Sequence, residues 1–95
     1  MNHMTLTEFE RTALADGFDE VLVREWSPGQ RLDTHTHPFA VRALVVRGDL
    51  TLTCGGATRS LQAGQSFELP CEEPHAEHYG TQGATFWVAR RHRRD

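Results

Sequence analysis

The sequence predicts an all-β domain, a sandwich or barrel of short antiparallel strands. From residue 20 onward, runs rich in β-branched, aromatic and aliphatic residues alternate with Gly- and Pro-containing turn signals at close intervals. About eight such runs occur, a number and spacing typical of sandwiches and barrels. A chain of 95 residues is the size of one domain, so we expect a single domain over residues 1–95.

One short helix is predicted before the strands. The segment "TLTEFERTALADGF" has apolar residues that can share one helical face, and we expect a helix over about residues 7–15. Thr7 followed by Glu10 fits a capping box at its start, and Asp16-Gly17 ends it.

The strands follow in order, separated by turns. The strand-like runs are 20–26, 30–37, 39–46, 50–54, 57–61, 65–70, 75–79 and 84–90. The turn signals are "SPG" at 27–29, "RGD" at 47–49, "GG" at 55–56 and "GTQG" at 80–83. The predicted barrel therefore spans about residues 20–90, and the basic end "RRHRRD", 90–95, is expected to be a solvated tail.

Composition and charge narrow the function. The net charge of −3 argues against general nucleic-acid binding, which requires a basic surface. No apolar run approaches the roughly 20 residues of a membrane helix, and the N-terminal residues do not resemble a secretory signal. We therefore expect a cytoplasmic protein without a membrane partner, in which Cys54 and Cys71 are thiols.

Two histidines one residue apart form the first candidate site. In a strand, side chains at i and i+2 point to the same face, so His35 and His37 lie side by side. Two neutral imidazoles on one face make half of a metal site. Further ligands must then come from elsewhere in the barrel.

The spacing around these histidines resembles the first motif of the cupin family. Five residues separate Gly29 from His35, and ten separate His37 from Gly48. The stretch "GQSFELPCEEPH", 64–75, is similar to the second cupin motif, with a proline after five residues and a histidine, His75, at its end. Both motifs stand in the family's order.

The resemblance implies a double-stranded β-helix, also called a jelly-roll barrel, with a divalent metal in its mouth. It implies that His35, His37 and His75 hold the metal. Imidazole binds Fe, Zn, Ni, Cu and Mn to differing degrees, so the sequence does not choose among them.

The chain departs from the family pattern at the fourth ligand, which is usually a glutamate of the first motif. Val41 occupies that position in the register that preserves six residues before Gly48, and the alternative register gives Arg42, which cannot ligate. A three-histidine shell leaves an open position, as catalytic metal sites do. Some cupin oxygenases that act on thiols or diketones share such a shell. The alternative is that Val41 records loss of the metal, leaving a ligand-binding module.

The second motif departs from the pattern as well. Glu72 replaces a glycine that permits a tight turn, so we expect the "CEEP" loop to have its own shape. Tyr79 replaces an asparagine. Alternation from His75 places Glu77 on the inward face, where it is a general base near the metal, an outer partner of a histidine, or a residue that reaches solvent at the barrel mouth. His78 points the other way and is expected at the surface.

These observations favour a cupin with metal-dependent, dioxygenase-like chemistry on a small polar or anionic molecule. The alternative is a non-catalytic metal- or ligand-binding sensor module. An isomerase- or epimerase-like sugar cupin is disfavoured because no phosphate-binding motif is present. Aromatic residues at strand spacing are expected in the core. The segment before Trp26 is a candidate to pair with a second copy, which predicts a homodimer.

Overall fold

The structure, a computed structural model, describes residues 4–92 and consists of one helix and antiparallel strands. The elements are α1 (Leu6–Ala15), β1 (Glu20–Trp26), β2 (Arg31–His35), β3 (Phe39–Cys54), β4 (Ala57–Gln62), β5 (Ser66–Leu69) and β6 (His75–His92). The strands pair in the order β1-β6-β3-β4, while β2 also pairs with β6 and β5 also pairs with β3. The fold class predicted from the sequence, an all-β jelly-roll barrel with a short N-terminal helix, is confirmed.

The strands are fewer and longer than predicted because β3 and β6 each join two predicted runs. The turns predicted at 47–49 and 80–83 lie inside these strands as irregularities, and the β3–β6 register shifts on both sides of Gly48. Gly48 has a φ of 76°, and a Cβ there would lie 1.9 Å from the carbonyl oxygen of Gly83. Glycine at this crossing allows the two long strands to bend together, which closes the barrel.

The N-cap of helix α1 is two residues earlier in the chain than the predicted one. Thr5 is the N-cap: its hydroxyl accepts from the Glu8 amide at 3.1 Å, and the Glu8 carboxylate accepts from the Thr5 amide at 2.8 Å. The predicted Thr7–Glu10 box is therefore wrong. The sequence contains both T-x-x-E pairs, but Thr7 already has helical neighbours on both sides and cannot cap. The helix buries Phe9 and Ala13 against Phe18 and the outer face of β6.

The barrel interior is filled by alternate residues of β3 and β6. Val41, Ala43 and Val45 lie on one face of β3 and are buried, with Tyr79 and Leu50 among the largest fully buried side chains. Across the sheet, the partners of the three β3 residues are Arg90, Val88 and Phe86 of β6. Directly paired antiparallel residues share a face, so this inward face of β6 includes Arg90.

The pairing of Arg90 corrects the predicted C-terminal tail. Residues 90–92 belong to β6, where Arg90 pairs with Glu20 as well as with β3. His92 donates its backbone amide to Asp19 at 2.8 Å, and its Nε2 lies 2.5 Å from the Glu20 carboxylate. Residues 93–95 of the predicted tail lie outside the described residues. Within residues 4–92, no helix is long and apolar enough to cross a membrane.

Candidate metal centre

Three histidines converge at one end of the barrel interior. His35 ends β2 and pairs directly with His75, the first residue of β6, while His37 follows just beyond β2. The candidate ligand atoms of the three imidazoles all lie within 4.8 Å of one another, and the ring centroids are 4.3–5.1 Å apart. The three residues that the family resemblance assigned to a metal therefore form one cluster.

Backbone carbonyls set the tautomers of two of these rings. Nδ1 of His35 lies 2.6 Å from the carbonyl oxygen of Asp33, and Nδ1 of His75 lies 2.9 Å from that of Glu73. A carbonyl oxygen only accepts, so each Nδ1 carries the proton and donates it. Each Nε2 then has a free lone pair for a metal, and the outer hydrogen bond that orients a ligating histidine is already made.

His37 is held differently. Its ring stacks on Phe39, with centroids 4.9 Å apart and planes 10° from parallel. Its pKa is lowered, first by burial and then by positive charge at His35, His75, Arg90 and Arg24. A lowered pKa favours the neutral imidazole, which is the form that ligates.

The loop after Pro70 braces this histidine. The amide of Glu72 donates to the carbonyl oxygen of His37 at 2.8 Å, and Glu72 has a φ of 64°. The expectation that this loop has its own shape is therefore wrong in one respect. Glu72 adopts the left-handed backbone for which the family uses glycine, in spite of its Cβ, and its amide bonds to His37 in this conformation.

Glu77 faces the same cluster. Its side chain is buried, and Oε2 lies 3.5 Å from Nε2 of His35 and 3.7 Å from Nε2 of His75. The hydroxyl of Tyr79, also fully buried, donates to Oε1. The alternative in which Glu77 reaches solvent does not fit this burial, whereas His78 is exposed as expected. Because the carbonyls of Asp33 and Glu73 already occupy both Nδ1 atoms, Glu77 stands on the ligand side of the rings and not behind them.

Val41 faces the histidines, and Arg42 does not. Val41 is 8% exposed and lines the same pocket as the three rings. Arg42 points outward, where its guanidinium bonds to Asp16 at 2.7 Å and lies 3.4 Å from Glu68. The vacant position of the fourth ligand is therefore part of an apolar wall.

The pocket over the cluster is small and mostly apolar. Its volume is about 100 Å³, well below the 300–1,000 Å³ of pockets for drug-sized ligands. Its apolar wall includes Val41, Ala43, Phe67, Leu69, Phe86 and Val88. Cys71 is half-buried in the loop before His75 and does not line this pocket.

Sequence reasoning missed three polar residues of the pocket: Arg24, Trp26 and Arg90. Arg24 and Trp26 are two apart on β1, opposite the buried Phe86 and Ala84 of β6. Alternation along "EVLVREW" was the available signal for these two residues. For Arg90, the signal was the alternation that runs on from Val88.

The sequence of most of the chain matches the model of a known protein family. Residues 22–89 match the family model described as "Cupin domain". The chain belongs to the cupin family. No curated protein is significantly similar to it.

Solved cupin structures share the fold. A protein of unknown function from Rhizobium leguminosarum has a TM-score of 0.72 at 22% identity, over 77% of this chain and 69% of that one. An RmlC-like cupin from Shewanella frigidimarina has a TM-score of 0.64 at 26% identity, over 80% and 70% of the two chains. The DMSP lyase DddQ from Ruegeria pomeroyi has a TM-score of 0.69 at 22% identity, over 75% of this cupin and 36% of the lyase. This cupin thus spans about a third of the lyase.

The donor set fits a divalent transition metal. Three imidazoles converge, two of them with Nε2 free and outer hydrogen bonds in place, and the third is held neutral by its surroundings. Nitrogen ligands of this kind suit Zn, Fe, Ni, Cu and Mn to differing degrees. The three histidines could therefore hold such an ion, whose identity the donors do not determine.

Proposed function

We propose that this cupin is a metal-dependent enzyme acting on a small polar or anionic molecule, with the metal on His35, His37 and His75. The observation that carries the proposal is the position of Glu77. A buried carboxylate is costly unless it is paired or used, and this one lies within 3.7 Å of the Nε2 atoms of two of the proposed ligands.

The metal would supply Lewis acidity or activation of oxygen to a molecule bound beside it. Glu77 would accept a proton from that molecule at Oε2, the carboxylate oxygen nearest the histidines. Tyr79 holds Oε1 through its hydroxyl, so the carboxylate has one oriented and one available oxygen. Val41 and the other apolar wall residues exclude water from the pocket.

Dioxygenase-type chemistry is the finer form of the proposal. It is supported by the three-histidine set with Val41 in place of the first-motif glutamate, which resembles cupin oxygenases that act on thiols or diketones. The first experiment is elemental analysis of protein purified without added metal. An oxygen-uptake screen with thiols and diketones on the metal-loaded protein follows.

We expect about one transition-metal ion per chain and oxygen consumption with at least one compound class. Metal retention without turnover in any screen would favour the non-catalytic binding module. Absence of metal, together with no metal uptake, would overturn the proposal.

A homodimer and a cytoplasmic location remain predictions. β1 is at one end of the strand order, and Val23 on this strand is 50% exposed, which supports pairing with a second copy. Light scattering on the purified protein tests the oligomeric state, and a monomer mass would contradict it.

A further inference from the structure

Two arginines line the metal pocket without a carboxylate partner. Arg24 and Arg90 both point into the pocket that contains the three histidines. Among residues 4–92, neither forms an ion pair with an acidic side chain. Glu20, which pairs directly with Arg90 across the strands, is hydrogen-bonded to His92 instead.

Aromatic rings hold both guanidinium groups. The Arg90 guanidinium carbon lies 4.6 Å from the centroid of Phe39, and that of Arg24 lies 4.9 Å from the centroid of Trp26. Trp26 in turn stacks on the buried Tyr79 at 5.0 Å. Stacking on a packed ring fixes the plane of a guanidinium and leaves its N–H edges available.

Two buried donors in this pocket lack acceptors. Within the described part of the chain, the buried side-chain nitrogens without a hydrogen-bond partner are Nε of Arg90 and Nε1 of Trp26. Both residues line the pocket. An unpaired buried donor costs free energy, and a pair of them beside one pocket indicates an acceptor that is supplied by a ligand.

The charge balance points the same way. Glu77 is the one acid among the pocket-lining residues within 4–92, and one of its carboxylate oxygens already accepts from Tyr79. A divalent ion on three neutral imidazoles would add to the positive charge of Arg24 and Arg90. The ligand must therefore bring negative charge.

The shape of the site favours a carboxylate over a phosphate. Nε and a terminal nitrogen of one guanidinium form an edge that matches the two oxygens of a carboxylate. A phosphate group carries more charge and more oxygens than this edge and one indole N–H satisfy. The volume of about 100 Å³ and the apolar wall fit a short aliphatic acid.

We infer that the pocket binds a small carboxylate, which accepts from Arg90 and Trp26 while Arg24 contributes charge and the rest of the molecule extends toward the histidines. The part of this inference that points the rest of the ligand toward the histidines rests on the proposed function. The carboxylate subsite itself consists of hydrogen-bond donors of the protein and does not depend on the metal. It narrows the substrate class to short carboxylic acids.

The test is a titration of zinc-loaded, ¹⁵N-labelled protein with propionate, followed by NMR. Propionate should shift the Nε–H resonance of Arg90 and the indole N–H resonance of Trp26 in a saturable way. Propionamide, which has the same shape without the charge, should bind at least about tenfold more weakly, because a charge-assisted bond is lost.

Substitutions of Arg90 test whether it is the donor that binds propionate. Arg90→Met keeps the packing on Phe39 and should weaken propionate binding about tenfold or more. Arg90→Lys keeps the positive charge but lacks the two parallel N–H donors of a guanidinium. Its affinity for propionate should lie between those of the wild type and Arg90→Met. Arg59→Met is the matched control, since Arg59 is exposed on β4 and does not line the pocket. Thermal unfolding of each variant establishes that it is folded.

The outcomes separate this inference from the proposed function. Equal binding of propionate and propionamide, or full affinity in folded Arg90→Met, would overturn the carboxylate subsite while leaving the metal centre intact. Tighter binding of inorganic phosphate at the same resonances would overturn it as well. If zinc is not retained but propionate still shifts the two resonances in the metal-free protein, the subsite holds and the metal-dependent function fails.

Discussion

Oε2 of Glu77 lies 3.5 Å from Nε2 of His35, on the side of the imidazole that a metal would occupy. The opposite nitrogen of the same ring donates to the Asp33 carbonyl. A carboxylate that only oriented the histidine would bond to Nδ1, as the backbone already does. In the proposed mechanism, this position gives Glu77 access to a molecule bound beside the metal, while the candidate ligand group consists of the three histidines.

Substitution of a proposed ligand should lower the metal content of the protein. His37→Ala removes one of the three proposed ligands, so the metal content of the purified variant should fall well below that of the wild type. His78→Ala is the control, because His78 lies on β6, the strand that begins with His75, but its side chain is exposed. Elemental analysis of both variants checks the prediction. Equal metal in His37→Ala and wild type would contradict the three-histidine assignment.

Val41→Glu should complete a four-ligand shell and strengthen retention of the metal. Val41 is buried in the pocket wall that also contains the three rings, so the new carboxylate would be largely buried there. The metal-free variant should lose a few kcal/mol of unfolding free energy through burial of the charge, and the metal should restore stability. Competition against a chelator measures the affinity. Arg42→Glu, in the outward register, should leave it unchanged.

The backbone of Glu72 predicts a stabilising substitution. Its φ of 64° costs a non-glycine residue about 1–2 kcal/mol, and the greater entropy of unfolded glycine offsets roughly 0.5–1 kcal/mol of that. Glu72→Gly should therefore raise the unfolding free energy by up to about 1 kcal/mol, measured by urea denaturation. Glu73→Gly, next to it without a positive φ, should lower the free energy. Destabilisation by both substitutions would show that the Glu72 side chain matters more than its backbone.

The metal-free protein should lose stability as the pH falls. The pKa of His37 lies below its ordinary value of 6.5 in the folded state, chiefly through burial. In the window between 6.5 and the lowered pKa, the unfolded chain binds more protons, so acidification favours unfolding. Denaturation midpoints measured from pH 8 to 5 should fall across this window. The fall should be smaller in His37→Gln, and an equal fall would mean that His37 does not contribute.

Local patterns in the sequence predicted the parts of the site that depend on alternation. His35, His37 and the inward direction of Glu77 follow from side chains two residues apart, and His75 followed from the spacing of the second motif. Val41 was placed by the count to Gly48. Each of these inferences needs no knowledge of which strands pair.

Features that depend on pairing were not predictable in the same way. Arg90 begins the basic run "RRHRRD", whose composition is typical of a tail. This composition outweighs the alternation that runs on from Val88, and the pairing with Val41 and Glu20 places Arg90 in the barrel. Gly48 is a turn signal in sequence, yet the close approach to Gly83 makes it a bend inside a strand. Glu72 has a positive φ and bonds through its amide to His37, which lies far away in the chain.

Glu77→Gln distinguishes an enzyme from a binding module. Glutamine keeps the size of the side chain and still accepts the hydrogen bond from Tyr79, so the variant should fold and retain its metal. It cannot accept a proton, and an enzyme that uses Glu77 as its base should lose about 10²–10⁴-fold in kcat. Glu25→Gln, exposed on β1, is the charge-matched control and should keep full turnover. The measurement is kcat with the substrate that the uptake screen identifies, on variants of equal metal content. Full turnover in Glu77→Gln would remove the carboxylate from the mechanism and leave proton transfer to a ligand-bound water or to the substrate itself.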